Sequence, residues 1–186
     1  MHASTRWLIA EILFTVLILA LLGLAHFPSL FPYAWHKTLH ILGAVLFLGN
    51  IIVTGVWMSL AERNNQTTTL QFASRVVNWA DVLFTAPGIL LILTNGMIMA
   101  TSWGGIGTSW IATSLGLFAL SGIVWAVFLI PYQDQLIRLS SSPGGSGTQL
   151  PDSFFHVLHR WYFWGIIATI LPLGSIVLMV LKPRFW

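Results

Sequence analysis

Residues 39–60 read LHILGAVLFLGNIIVTGVWMSL, a run without a single Asp, Glu, Lys or Arg. A helix needs about 20 apolar residues to cross a hydrocarbon core ~30 Å thick, so this run alone suffices to span a bilayer. Similar runs recur along the chain, and setting them against turn signals predicts helices at about 6–27, 34–62, 70–101, 109–139 and 154–181. In lipid the backbone must satisfy its own hydrogen bonds, which leaves helices or a closed barrel. A barrel would show short alternating strands instead of continuous apolar runs. The expected fold is therefore all-α: a polytopic transmembrane helix bundle of about five spans, with a four-helix core plus an N-terminal helix, forming one membrane domain over residues 1–186.

Composition points the same way. Hydrophobic residues make up 56% of the chain and charged residues 7%, with mean hydropathy +0.84, too little polar surface to coat a soluble domain. The high sequence pI of about 9.8 rests on 8 Lys+Arg against 5 Asp+Glu, scattered at span ends with no basic cluster. The expected partner is thus the lipid bilayer and not a nucleic acid. With no cysteine, thiolate metal sites, disulfides and covalent c-type haem attachment are excluded. Any metal or haem iron must use His, Met, carboxylate or water. No phosphate-binding glycine loop or Ser-His-Asp arrangement supports hydrolase or ATPase chemistry.

Between the spans, the segment from Ser140 to Gly147, rich in Ser, Gly and Pro, reads as a flexible spacer in a loop over 140–153. Arg6 precedes an apolar run ending near Gly23-Leu24-Ala25 that is longer than a secretory signal core, so a retained helix is expected. Arg6, Arg63, Arg75, Arg138 and Arg160 fall on the N-terminal side, Lys37, Lys182 and Arg184 on the other, which favours a cytoplasmic N-terminus. Trp7, Trp35, Trp103, Trp110, Trp161 and Trp186 sit near span ends as interfacial anchors, and His2 and His26 read as surface positions. Pro87, Pro131 and Pro172 are expected to kink or loosen their helices.

Polar residues inside spans need a partner, a water cavity or a role. In the second span His36, His40, Gly43, Phe47, Asn50, Thr54 and Trp57 recur at steps of three and four, which places them on one helix face. Asn78, Asp81, Thr85, Gly88, Ile92 and Asn95 do the same in the third. The two stripes are expected to face each other, with Asn95 near the level of His40, and Asn50 and Thr54 near that of Thr85 and Gly88. Interhelical hydrogen bonding is one reading of them, ion or proton translocation another. For Asp81 the expected partner is Arg160 or His159. His156 and His159, three apart at the start of the last span, have a spacing that serves metal ligation as well as ordinary interfacial placement. His40 and His159 lie near opposite membrane faces, and His36 and His40 share a helix, so neither pair supplies both axial ligands of one haem. A haem at His40 then requires water, another ligand or a second protomer on its far side.

The segment Lys37-Thr38-Leu39-His40, followed by Phe47-Leu48-Gly49 and, after the last span, Lys182-Pro183, resembles a family of bacterial integral membrane proteins of unknown function. The likeness runs over the second to fifth spans. A similar layout occurs in HemJ-type protoporphyrinogen oxidases and, more loosely, in CopD-type copper-resistance membrane proteins. That resemblance implies an inner (plasma) membrane location and a four-helix core. It further implies His40 as an axial ligand of b-type haem, with Lys37 near a propionate and His36 beside it. The arginine that follows this segment in HemJ-type proteins has no counterpart among Val56, Trp57 and Met58. Three functions compete: a haem-binding redox protein centred on His40; an accessory or scaffold subunit of a homo-oligomer or larger membrane complex; and a small transporter using Asp81 and the Asn50–Asn95 polar stripe.

Overall fold

A computed structural model describes residues 3–25, 31–141 and 150–186. Helix α1 (Ala3–Ala25) leads, followed by α2 (Tyr33–Asn64). The third span consists of α3 (Thr67–Ala80), one π-helical turn (Asp81–Thr85) and α4 (Ala86–Thr101); the fourth of α5 (Ser109–Val124), a second π-helical turn (Trp125–Leu129) and α6 (Ile130–Ser141). Helix α7 (Asp152–Leu181) closes the bundle. Five helices are long and apolar enough to cross a membrane, and no strand occurs among the described residues. Ser140 and Ser141 belong to α6, Asp152 and Ser153 to α7, so the expected loop is shorter than 140–153; its residues 142–149, and also His2 and His26, lie outside the described residues.

Lipid gives helices little hydrophobic reason to associate, so close packing depends on small residues and interhelical hydrogen bonds. Helices α2 and α4 cross where Gly43 meets Gly88: a Cβ on Gly43 would come within 2.8 Å of the Gly88 carbonyl oxygen, and one on Gly88 within 2.9 Å of the Gly43 oxygen. Helices α5 and α7 close through serines, with Ser175 donating to the Ser114 carbonyl at 3.0 Å and Ser121 to the Ala168 carbonyl at 2.6 Å. Large apolar side chains, among them Met58, Leu70, Val77, Leu136, Phe154 and Leu158, form the buried core toward the end of the bundle where α3 begins. Helix α1 joins this core through Leu8 and reaches α6 by a Thr5 hydroxyl bond to Asp134 at 3.5 Å.

The prolines act in two different ways. Pro87 and Pro131 each stand six positions after the first residue of a π-helical turn, Asp81 and Trp125 respectively. A proline has no N–H, and its ring crowds the carbonyl four residues back. Widening the preceding turn, so that Ala86 N–H bonds to the Asp81 carbonyl and Ile130 N–H to that of Trp125, is how the chain accommodates this. Pro172, by contrast, lies buried inside a continuous α7.

Candidate functional site

The two π-helical turns are linked by a Trp125–Asp81 hydrogen bond, and the first polar cluster is built around it. Asp81 is 3% exposed, and its carboxylate accepts four hydrogen bonds. Oδ1 takes the Thr85 hydroxyl at 2.8 Å and the Asn50 amide at 3.1 Å; Oδ2 takes the Gln133 amide at 2.8 Å and the Trp125 indole N–H at 3.4 Å. Asn50 also donates to Thr85 at 2.8 Å, while Asn78 donates to the Gln133 carbonyl oxygen at 3.1 Å. Thr54 returns its hydroxyl to the Asn50 carbonyl at 2.7 Å. A carboxylate offers about four lone-pair sites, and here neutral donors from the second, third and fourth spans fill them.

This arrangement corrects the expected partner of Asp81. Neither Arg160 nor His159 reaches it; His159 instead pairs with Glu62 at 3.1 Å. Asn50, which touches Asp81, lies about 18 Å along α2 from Glu62 at 1.5 Å per residue, so His159 is held at the membrane edge while Asp81 lies deep. His156 and His159 are both exposed, and no group of three or more His, Asp or Glu able to hold a metal occurs among the described residues. Gln133 and Trp125 were not singled out in the sequence. The available signal was a tryptophan far from either span end and a glutamine within a helical run, each obliged to find a partner in lipid.

The second cluster lies toward the other end of the α2–α4 pair. His36 is 4% exposed, and its Nδ1 lies 2.8 Å from Asn95 Oδ1. The Asn95 amide nitrogen donates to the Leu91 carbonyl at 2.9 Å, which fixes Oδ1 as the atom facing His36. Nδ1 of His36 must therefore carry the proton. One turn along, His40 Nδ1 lies 2.8 Å from the Ile92 carbonyl oxygen, an acceptor only, so it too is protonated at Nδ1. In the neutral tautomer this leaves each ring an Nε2 lone pair. That of His36 is buried without a hydrogen-bond partner, and that of His40 accepts no hydrogen bond among the described residues. The His40 ring lies against Gly96, where a Cβ would come within 3.0 Å of Cε1 and 3.1 Å of Nδ1. Lys37 is exposed beside the pair.

Both sequence stripes face inward, with one exception. Asn78, Asp81, Thr85, Gly88, Ile92 and Asn95 are all buried, as are His36, Gly43, Phe47 and Thr54. Trp57 is 51% exposed, and Met58, fully buried, takes the inward position because the helical repeat after Thr54 falls at the fourth residue. Asn95 bonds His36 and not His40, one turn from its expected level. Thr85 meets Asn50 as expected, while Gly88 lies beside Gly43 and Phe47, one to two turns further along α2.

With these elements placed, the comparisons with known proteins are decisive on one point: a family described as predicted integral membrane proteins, DUF2269, matches residues 35–183. The chain belongs to this family. The DUF2269 match begins two residues before Lys37 and ends at Pro183, so it takes in the second to fifth spans and both polar clusters and leaves α1 outside. No curated protein and no solved structure matches the chain significantly. Membership of DUF2269 establishes an integral membrane protein in contact with the lipid bilayer.

Proposed function

We propose that this DUF2269 protein is a membrane redox protein that binds b-type haem through His40. The observation that carries the reading is the His40 tautomer: Nδ1–H is committed to the Ile92 carbonyl, leaving Nε2 unprotonated and unpartnered. Ligating histidines characteristically donate their other ring N–H to a carbonyl or carboxylate, which sets the ring orientation and raises ligand basicity. His36 repeats the arrangement through Asn95, but it shares a helix with His40, so its buried Nε2 is an alternative to His40 and not a second ligand of the same haem. Lys37, exposed beside them, is suited to a propionate. The resemblance of Lys37-x-x-His40 to the HemJ-type motif supports the same assignment. A haem held there supplies one-electron chemistry.

A specific observation also favours an assembly. A cavity of about 710 Å³ between the spans touches neither His36 nor His40. On this reading, a wall of the haem site and any further ligand would come from a second protomer or another subunit, which joins the redox and subunit readings. Transport has less support, because the Asp81 carboxylate is already saturated by neutral donors on three spans. The test is an oxidised and dithionite-reduced absorption spectrum of the purified protein, with haem added. The expected result is a Soret band and a reduced α-band of b-type haem, both lost in His40→Ala. A featureless spectrum from folded, haem-supplemented protein refutes the proposal.

A further inference from the structure

The 710 Å³ cavity is a cleft between α2 and α7, two helices that make little contact with one another elsewhere. Its volume falls within the range of small-molecule pockets, about 300–1,000 Å³. Ile51 and Ile52 on α2, with Ile166 and Ile170 on α7, give it apolar walls, and Ile52, Ile166 and Ile170 also face the lipid side. The Asp81 carboxylate at its floor has no free acceptor site. The free charged groups lie at the other end. Trp161, also in the lining, is 7% exposed, and its indole N–H is buried without an acceptor. Arg63 lines the same end and makes no ion pair among the described residues, while Glu62 is engaged by His159. Arg160 is exposed at that end of α7.

Down the cleft a free guanidinium lies outermost, followed by apolar walls running roughly 14 Å from Trp161 to Ile170 at 1.5 Å per residue. A glycerophospholipid presents the complementary sequence: phosphate, then acyl chain. The two arginines at the mouth, Arg63 and Arg160, favour a headgroup with net negative charge. We propose that the α2–α7 cleft holds one acyl chain of an anionic phospholipid, with its phosphate on Arg63. This site is separate from His40, so it stands or falls independently of haem binding.

Native mass spectrometry of the whole protein, incubated in detergent with equal amounts of phosphatidylglycerol and phosphatidylcholine, tests it. One phosphatidylglycerol is expected to be retained per chain in preference to phosphatidylcholine. Arg63→Gln is expected to weaken that retention about tenfold or more, the scale of a lost charge-assisted hydrogen bond. Gly165→Leu fills the cleft and is expected to abolish retention; a Cβ there meets only Leu129 Cδ2, at 4.0 Å. Should that variant fail to fold, Gly55→Leu serves, since a Cβ at this cleft position meets nothing within 4 Å. Equal retention of the two lipids, retention unaffected by Arg63→Gln or by filling the cleft, displacement by free oleate, or a lipid-free dimer closing the cleft would each overturn the proposal.

Discussion

The two polar clusters of the bundle differ in how completely their ionisable side chains are satisfied. Around Asp81, four donors meet four acceptor sites, and the carboxylate ties three spans together. Around His36 and His40, every Nδ1–H is used and every Nε2 is left over. Both clusters are built from residues costly to place in a membrane, so polarity alone does not distinguish them. A carboxylate whose acceptor sites are filled from three spans holds helices in register, whereas a ring nitrogen with an oriented, unused lone pair is prepared for a ligand.

The sharpest way to break this contrast is at Asp81. Asp81→Ala leaves the Asn50, Thr85, Trp125 and Gln133 donors without their common acceptor, and each unpaired buried group costs about 1–3 kcal/mol. The expected loss exceeds about 3 kcal/mol, read as a large fall in melting temperature or denaturation midpoint in detergent. A variant as stable as the parent would show that the cluster is not structural. Next comes the α2–α4 crossing. Gly88→Ala forces a Cβ to within 2.9 Å of the Phe47 nitrogen and the Gly43 oxygen, an overpacking expected to cost about 1–3 kcal/mol in the same assay.

At the histidine cluster the effects should fall on ligand binding before stability. Gly96→Ala displaces the His40 ring by a few tenths of an ångström without altering its chemistry, so haem affinity is expected to fall while the melting temperature moves little. Unchanged affinity would show that ring placement against α4 does not matter. The smallest effect belongs to the membrane edge. His159→Ala removes an exposed pair with Glu62 and is expected to change stability by less than about 1 kcal/mol. A larger change would make that pair a clamp between α2 and α7.

Much of this contrast was legible in the sequence. Residues three and four apart on a helix share a face wherever they occur, so both stripes could be read, and the structure buries most of them, leaving His40 and Asn50 half-buried and Trp57 exposed. The family match over 35–183 likewise covers the segment that the Lys37-x-x-His40 resemblance marked. What spacing within one helix does not encode is which residue of a distant helix arrives opposite. Gln133 and Trp125 reach Asp81 across the contact between the third and fourth spans, in each of which a π-helical turn precedes a proline. Proline signals a disturbed helix without specifying a widened turn. Trp161, at a span end, carries the composition of an interfacial anchor; its burial follows from α7 packing into the apolar core.

The most direct test of the account is the nitrogen-15 NMR spectrum of histidine-labelled protein without haem, assigned with His36→Ala and His40→Ala. Ring-nitrogen shifts separate an N–H nitrogen from one bearing a lone pair. The account predicts the Nδ1–H tautomer for both His36 and His40, with Nε2 bare. Either ring protonated at Nε2 would contradict it, because the lone pair offered to a ligand would then not exist.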